Sequence, residues 1–310
     1  MDPSADAEIR HLIAALESLV DGDLAVEQLV AHGPPAIPHL REFLLQGRAK
    51  SIPQPRMRAV EALARLEAQA VLIEYLLTPK AIHDPQLRFA EDAVENTAAR
   101  ALGRWLDEET FQALLAVSRR RLLPGAIETL AAYGRAQVIP YLDRALEDDL
   151  CRPPAEEGFR RIGSAARRAL VLSTVTPLPG PQEEIPSSLR RRRSALALLT
   201  DIGIDRECWS DIRSLLSEDD PEITAHVARL AVDVADLTDA AAAAAHLVSV
   251  LPTLPWFVRE EAEHALVTLA PASQAIVESE IARRSARPLA ERAADETLRM
   301  LLRVKSKRAK

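Results

Sequence analysis

Arginines are the residues whose number and spacing best indicate chemistry in this sequence. Only five of its 39 basic residues are lysines. A planar guanidinium binds carboxylates and phosphates through paired hydrogen bonds. Eight arginines fall in two predicted helical segments, 154–172 and 188–203: Arg160, Arg161, Arg167, Arg168, Arg190, Arg191, Arg192 and Arg193. They predict a site for an acidic peptide, a phosphorylated ligand or a nucleic-acid backbone.

The charge distribution leaves two interpretations of this arginine group open. Residues 151–204 carry nine basic and five acidic side chains in a chain of net charge −7. One interpretation is therefore a basic binding patch on an acidic protein. The other is structural, because positive charge in the first turn of a helix opposes the helix dipole. In that interpretation Glu183 and Glu184, just upstream, neutralise residues 190–193.

No sequence motif for catalysis or metal binding is present. The sequence lacks GxGxxG, GxxxxGKS/T, GxSxG and HExxH, so common nucleotide-binding, hydrolase and zinc-protease sites have no support. His264 follows Glu260 and Glu261 on one predicted helical face, an arrangement that we interpret as an ion pair rather than a metal site. We therefore predict no catalytic residue, no metal and no cofactor.

The cysteines and the N-terminal segment bear on the cellular compartment. Cys151 and Cys208 are 57 residues apart and form no CxxC, which favours reduced thiols over a disulfide framework or a zinc ribbon. No signal peptide and no apolar run long enough to span a bilayer are recognisable. The sequence predicts a soluble cytoplasmic protein without a membrane partner.

The composition favours an all-α fold. Glycine is only 10 of 310 residues and aromatic residues are 4%, which disfavours glycine-loop nucleotide folds and aromatic-rich β-sandwiches. Apolar residues recur at helical spacing, as Ala59, Ala62 and Leu63 do. About sixteen helices are predicted, joined by short turns. Helix starts are marked by Asp84-Pro85 and Asp220-Pro221, and helix ends by Gly33, Gly103, Gly134 and Gly203.

The predicted helices repeat at an interval of about 34 residues. Ile37, Pro38, Leu40 and Leu44 recur 102 residues later as Ile139, Pro140, Leu142 and Leu146. The residues Arg56, Ala59, Ala62, Leu63 and Leu66 recur 203 residues later as Arg259, Ala262, Ala265, Leu266 and Leu269. Because one helical hairpin cannot bury its apolar face alone, such units must stack on their neighbours.

Over residues 24–305 the chain resembles the HEAT-repeat superfamily, especially the short HEAT-like repeats of the phycobilisome-lyase type. The first-helix pattern is Gly33-x-x-Ala36-Ile37-Pro38-x-Leu40, with a copy from Gly134 to Leu142; the second-helix pattern is Arg56-x-x-Ala59-x-x-Ala62-Leu63. The resemblance implies a right-handed α-solenoid whose second helices line a concave face. It is specific for architecture and does not identify a function.

One proline-rich stretch interrupts the repeat pattern. Prolines 177, 179, 181 and 186 predict a loop over 174–187, between N-terminal repeats with capping helices (1–173) and C-terminal repeats (188–310) of one continuous solenoid. Helix 154–172 is assigned as a second helix, and helix 188–203 has no evident partner. The loop is the best candidate for a break in the solenoid.

Two functions follow from these features. The first is a non-catalytic scaffold or adaptor for protein binding, whose concave face holds a protein or peptide with acidic groups through the eight arginines. The second, suggested by a weaker resemblance to HEAT-like alkylpurine DNA glycosylases, is DNA binding or base excision. In that family a tryptophan precedes a catalytic aspartate by four residues on one helix, and here Trp105 precedes Glu109. The acidic chain makes a nucleic-acid partner the weaker alternative.

Overall fold

The chain is helical throughout the part that the structure describes. A computed structural model describes residues 3–46, 51–180 and 183–308. Within these ranges the β-type pairing is one isolated bridge between Pro179 and Glu184. The all-α prediction is therefore confirmed. The chain divides into two compact units, Met1–Arg161 (unit 1) and Ile162–Lys310 (unit 2).

Unit 1 is a series of helical hairpins. Its helices are α1 (Pro3–Ala15), α2 (Gly22–His32), α3 (Ile37–Gln46), α4 (Gln54–Arg65), α5 (Gln69–Leu77), α6 (Pro85–Ala101), α7 (Glu108–Arg120), α8 (Pro124–Ala132), α9 (Ile139–Ala145) and α10 (Arg152–Ile162), whose last residue opens unit 2. Helices α1 to α8 pack in consecutive pairs, and the second helices α2, α4, α6 and α8 also contact one another in chain order. These second helices form one layer of unit 1.

Unit 2 repeats this arrangement. Its helices are α11 (Arg167–Val175), α12 (Pro186–Ile202), α13 (Arg206–Ile212), α14 (Pro221–Val234), α15 (Leu237–Val250), α16 (Trp256–Thr268), α17 (Gln274–Ser285), α18 (Leu289–Ala294) and α19 (Glu296–Arg308). The pairs are α11 with α12, α13 with α14, α15 with α16 and α17 with α19. The second helices α12, α14, α16 and α19 contact one another in succession.

Aspartate caps and buried apolar stripes explain why these segments are helical. Asp84 accepts hydrogen bonds from the backbone N–H of Gln86 (2.8 Å) and Leu87 (3.1 Å), directly before α6. Asp220 caps α14 in the same way. The predicted starts at these two Asp-Pro pairs are thus confirmed. The stripe Ala59, Ala62 and Leu63 of α4 is fully buried, as its spacing predicts.

Glycines with positive φ open several first helices. Gly33 (72°) and Gly134 (60°) adopt positive φ at the predicted helix ends, and a 3₁₀ turn then leads into α3 and α9. Gly203 also has positive φ, after α12. The prediction for Gly103 is wrong, because it lies inside a 3₁₀ turn that extends α6.

A third copy of this glycine motif corrects the predicted helix 154–172. Gly163 has φ 65°, so the segment is divided into α10, the 3₁₀ turn Gly163–Ala166, and α11. Ala166 and Leu170 are fully buried, as Ala36 and Leu40 are after Gly33. Helix α11 is therefore the first helix of a hairpin and the partner that α12 was thought to lack.

The proline-rich loop joins the two helices of the α11–α12 hairpin. The N–H of Gly180 donates to the carbonyl of Glu183 (2.8 Å), and that of Leu178 donates to Oγ of Ser188 (2.9 Å). These bonds tie the described part of the loop to the start of α12. Residues 181 and 182 of the predicted 174–187 segment lie outside the described residues.

Each unit contains one buried cysteine. Cys151, in unit 1, and Cys208, in unit 2, are free thiols. Burial, assisted by the charge of Asp148, raises the pKa of the Cys151 thiol to about 12. Burial also raises the pKa of Cys208. Neither thiol is therefore an activated nucleophile.

Candidate partner-binding surface

Arg192, one of the eight arginines predicted to bind a partner, is buried. Only 2% of it is exposed, near the start of α12. It donates to the carbonyl of Thr174 (2.7 Å) and to the carboxylates of Glu184 (2.6 Å) and Glu218 (2.8 Å). Its hydrogen-bonding capacity thus serves to join the end of α11, the loop and the turn before α14.

The neighbouring arginines of α12 also bind groups of unit 2. Arg191 is buried and donates to the carbonyl of Thr176 at 2.6 Å. Arg193 contacts Asp220, the cap of α14, and lies 2.9 Å from an oxygen of Glu222. Arg190 is half-buried and also takes part in an interaction within the chain. Glu184 neutralises the group as the structural interpretation proposed, and Glu218, Asp220 and Glu222 contribute as well.

The other four predicted arginines are divided between the units. Arg160 and Arg161 lie exposed near the end of α10 in unit 1, and Arg161 pairs with Glu157 at 3.1 Å. Arg167 and Arg168 lie in unit 2 and pair with Asp205 (3.1 Å) and Asp211. The assignment of these last two to a second helix is wrong, since Gly163 places them on α11, a first helix.

The structure separates Trp105 from Glu109. Trp105 lies in the turn after α6, while Glu109 lies in the first turn of α7, which is capped by Asp107. Glu109 is exposed, and the guanidinium of Arg104 lies 6.0 Å from the Trp105 ring centre. The two residues therefore do not lie on one helix, as the glycosylase pattern requires. The reason is that Asp107 caps a new helix between them.

Unit 1 contains a buried ionic cluster that the motif search did not identify. Glu91 accepts hydrogen bonds from Arg56 and from the hydroxyl of Tyr75, and Glu95 lies 2.7 Å from Lys80. The ammonium of Lys80 also lies 3.8 Å from the centre of the Tyr75 ring. Arg88 and Arg121 donate hydrogen bonds to the other carboxylate oxygen of Glu95.

Burial shapes the chemistry of this cluster. Burial and the charge of Glu91 raise the pKa of the Tyr75 hydroxyl far above its ordinary value. Burial lowers the pKa of Lys80, although Glu95 opposes the change. The adjoining cavity is small, about 170 Å³. Because the cationic groups are engaged with carboxylates of the chain itself, we assign the cluster to the joining of α4, α5 and α6.

A larger open groove runs along the second helices of unit 1. It consists of two depressions, of about 540 and 620 Å³, which share Met57, Thr97 and Arg100. The first depression extends over α6 to the starts of α8 and α10. The second extends over α4 towards Asp23 at the start of α2. We call this surface the unit-1 groove.

The unit-1 groove has an apolar half. Phe89 is 78% exposed and Leu150 is 73% exposed, and both line the 540 Å³ depression together with Leu122 and Leu123. Phe89 lies on the stripe of α6 that continues with Ala93, Asn96 and Arg100, a stripe that is otherwise mostly small or polar. A phenylalanine on a solvent-facing stripe is a signal that sequence reasoning missed.

The other half of the groove is rich in arginine. Arg65, Arg100 and Arg104 line the 620 Å³ depression. Each pairs with a glutamate: Arg65 with Glu27 (2.5 Å), Arg100 with Glu128 (2.8 Å) and Arg104 with Glu67 (3.0 Å). The glutamate side chains are about 56–61% exposed, so water reaches every pair. Such exposed pairs are weak and can exchange partners.

No cluster of three or more histidine, cysteine, aspartate or glutamate side chains in the described ranges is arranged to hold a metal ion. No helix within those ranges is both long enough and apolar enough to cross a bilayer. Compared with family models and with the sequences of curated proteins, the chain matches none.

Proposed function

We propose that this chain is a HEAT-like repeat scaffold that binds an acidic, partly apolar segment of a partner protein in the unit-1 groove. The glycine–3₁₀–helix motif at Gly33, Gly134 and Gly163 supports the repeat architecture. The proposed assembly is a right-handed solenoid, in which the second helices line the concave face. The buried thiols support a cytoplasmic setting.

The observation that carries the proposal is the exposure of Phe89 and Leu150 on either side of one depression. Contiguous exposed apolar surface with a polar rim is typical of interaction sites. Full burial of a phenylalanine side chain contributes about 1.5–3 kcal/mol. A partner that covers both residues therefore gains its main binding energy here, in the apolar half of the groove.

The arginine-rich half determines the direction in which the partner lies. Arg65, Arg100 and Arg104 favour carboxylates, whereas the carboxylates of Asp92 and Asp148 border the apolar half. The partner segment then has its acidic residues over α4 and its apolar residues over the starts of α8 and α10. The charged groups determine the orientation of the bound partner and its association rate, and the apolar contact determines how long the complex lasts.

The proposed binding site for the acidic partner, the unit-1 groove, differs from the eight arginines of the sequence prediction. Arg191 and Arg192 are buried among groups of unit 2, and Arg193 is held by Asp220 and Glu222. A ligand at these residues would have to break the bonds that hold α12 to the loop and to α14. The groove arginines, in contrast, form exposed pairs that an incoming carboxylate can replace.

The test is a selection from a random twelve-residue peptide library displayed on phage, with the full chain as target. We expect enriched peptides with Asp or Glu at one end and aromatic or aliphatic residues at the other. Synthetic copies should bind the chain by fluorescence anisotropy. Their affinity should fall at least tenfold in Phe89→Ser and in the double variant Arg100→Glu/Arg104→Glu.

Matched variants separate the groove from general effects of sequence change. Leu237 is about as exposed as Phe89 but lies in unit 2, and Arg41 forms an exposed pair with Glu74 on first helices of unit 1. Leu237→Ser and Arg41→Glu should leave peptide binding unchanged. No enrichment, or enrichment of peptides that bind all four variants equally, would overturn the proposal. A preference for a labelled DNA duplex over every peptide would replace the partner class with nucleic acid.

A further inference from the structure

The first and last hairpins have a neighbouring hairpin on one side only among the described residues. Helices α1 and α2 pack on α3 and α4, while α17 and α19 pack on α15 and α16. The hairpins α3–α4 and α5–α6 of unit 1, and α13–α14 and α15–α16 of unit 2, pack on a neighbour on both sides. The outer surfaces of these two hairpins therefore carry side chains that no described helix covers.

The first hairpin is acidic and carries exposed apolar residues. Residues 3–32 contain six carboxylates and one arginine. In the turn between α1 and α2, Leu19 and Val20 are 83% and 88% exposed, and Leu24 is exposed on α2. Leucine and valine at such exposure are unusual in a tight turn, where polar residues are the common choice.

Leu24 lies on the exposed part of α2, beside the residues that contact the next hairpin. Its neighbours Asp23 and Glu27 bind Arg58 (2.7 Å) and Arg65 (2.5 Å) of α4, so they lie on the side of α2 that faces the next hairpin. Leu24 is about 100° around the helix from Asp23 and about 60° from Glu27. It is therefore exposed to one side of the contacts with α4.

The last hairpin is basic and also carries exposed apolar residues. Residues 283–308 contain nine arginines and lysines and three carboxylates. Leu289, before α19, is exposed, and so is Leu302 on α19. This is the most basic stretch of an otherwise acidic chain, whose net charge is −7.

Some of these cations face the neighbouring helix and others do not. Arg303 and Lys307 lie near the carboxylate of Glu263 in α16. Lys305 is two residues from each, about 200° around the helix, and is exposed. Arg299 lies one turn before Arg303 on the same face, and it lines a pocket together with Arg259 of α16. The surface of Lys305 and Leu302 is therefore turned away from α16.

We propose that the acidic first hairpin of one copy of this chain docks on the basic last hairpin of a second copy. Leu19, Val20 and Leu24 of one copy would cover Leu289 and Leu302 of the other, and the carboxylates of the first hairpin would meet Arg292 and Lys305. The two hairpins are complementary in charge, and each carries exposed apolar residues. Since every copy carries both surfaces, the contact is head-to-tail and can be repeated.

The test is sedimentation velocity of the full chain over a wide concentration range, at about 50 mM and about 500 mM salt. We expect association that grows with concentration and weakens at least tenfold at the higher salt. Two charge-reversed variants should each be monomeric: Glu17→Lys/Asp21→Lys and Arg292→Glu/Lys305→Glu. Asp21 makes no side-chain cap to α2, so its reversal does not remove a helix cap.

Mixing the two variants decides the proposal. The mixture contains an unchanged basic hairpin on one variant and an unchanged acidic hairpin on the other, so only the mixture should associate. Unfolding of either variant cannot produce this result. The exposed charge reversal Arg213→Glu, elsewhere in unit 2, is the control and should associate as the original chain does. A monomer under all conditions, or a mixture that stays monomeric, would overturn the proposal.

Discussion

The guanidinium of Arg65 donates two hydrogen bonds, of 2.5 and 2.7 Å, to the carboxylate of Glu27, 38 residues earlier. The pair joins α4 to α2, the second helices of neighbouring hairpins. Other pairs repeat this separation: Arg58–Asp23, Arg104–Glu67, Arg167–Asp205 and Arg259–Glu296 lie 35, 37, 38 and 37 residues apart. Much of the arginine content of this chain therefore connects one repeat to the next.

Replacement of Arg192 should destabilise unit 2 strongly. Arg192→Met leaves Glu184 and Glu218 without their partner and removes the bond to the Thr174 carbonyl. Breaking a buried ion pair from one side costs about 3 kcal/mol. Urea unfolding followed by circular dichroism at pH 7 measures the loss. Arg168→Met, which breaks the exposed pair with Asp211, is the control and should cost much less. Equal losses would contradict the structural role of Arg192.

Replacement of Gly163 should weaken the start of α11. An added Cβ meets nothing within 4 Å, so Gly163→Ala creates no clash, but φ 65° is strained for alanine. A left-handed residue other than glycine costs about 1 kcal/mol. Gly103→Ala, at a position with ordinary φ and only Thr129 nearby, should be neutral or slightly stabilising. Thermal unfolding of the two variants compares them directly, and the opposite ranking would show that α10 and α11 are one helix.

The stability of the last hairpin should fall in acid because of Asp295. Burial favours the protonated form, but the N–H of Leu298 and the guanidinium of Arg284 outweigh it and hold the pKa of Asp295 below its ordinary value. A carboxylate with a lowered folded pKa stabilises the fold above its unfolded pKa, near 4. That contribution disappears as the pH falls through the folded pKa.

Asp295→Asn should therefore be less stable than the original chain at pH 7, and the difference should shrink towards pH 2.5. Urea unfolding at several pH values tests this, with Asp219→Asn as an exposed control. A difference between Asp295→Asn and the original chain that stays constant from pH 7 to pH 2.5 would mean that Arg284 and Leu298 do not stabilise the charged form.

The helices were predictable from apolar spacing, whereas the hairpin boundaries were only partly so. The copies at Gly33 and Gly134 carry an Ile-Pro pair that marks the start of a first helix. The copy at Gly163 has Arg167 and Arg168 in place of this pair, and its backbone conformation is visible only in the structure. For this reason the sequence predicts one helix over 154–172 and no partner for the helix that follows the loop.

The candidate site was less predictable, because counting charges does not show which charges are paired. Residues 190–193 form the most basic run in the sequence, yet the structure buries Arg191 and Arg192 and pairs Arg193. Phe89 was inside a correctly predicted helix, but its exposure depends on how α6 packs on α4 and α8. The basic segment 283–308 is also visible in the sequence. Its charge is hidden when the charges are summed over residues 205–310, because that longer range is acidic overall.

The two buried cysteines, one in each unit, make the opening of each unit measurable by thiol labelling. A thiol-specific reagent cannot reach Cys151 or Cys208 while the surrounding helices are closed, and a raised pKa slows the reaction further. Labelling should therefore proceed only through transient opening. The mass of each labelled peptide would show, from one sample and without any added probe, whether the N-terminal and C-terminal halves open together or independently.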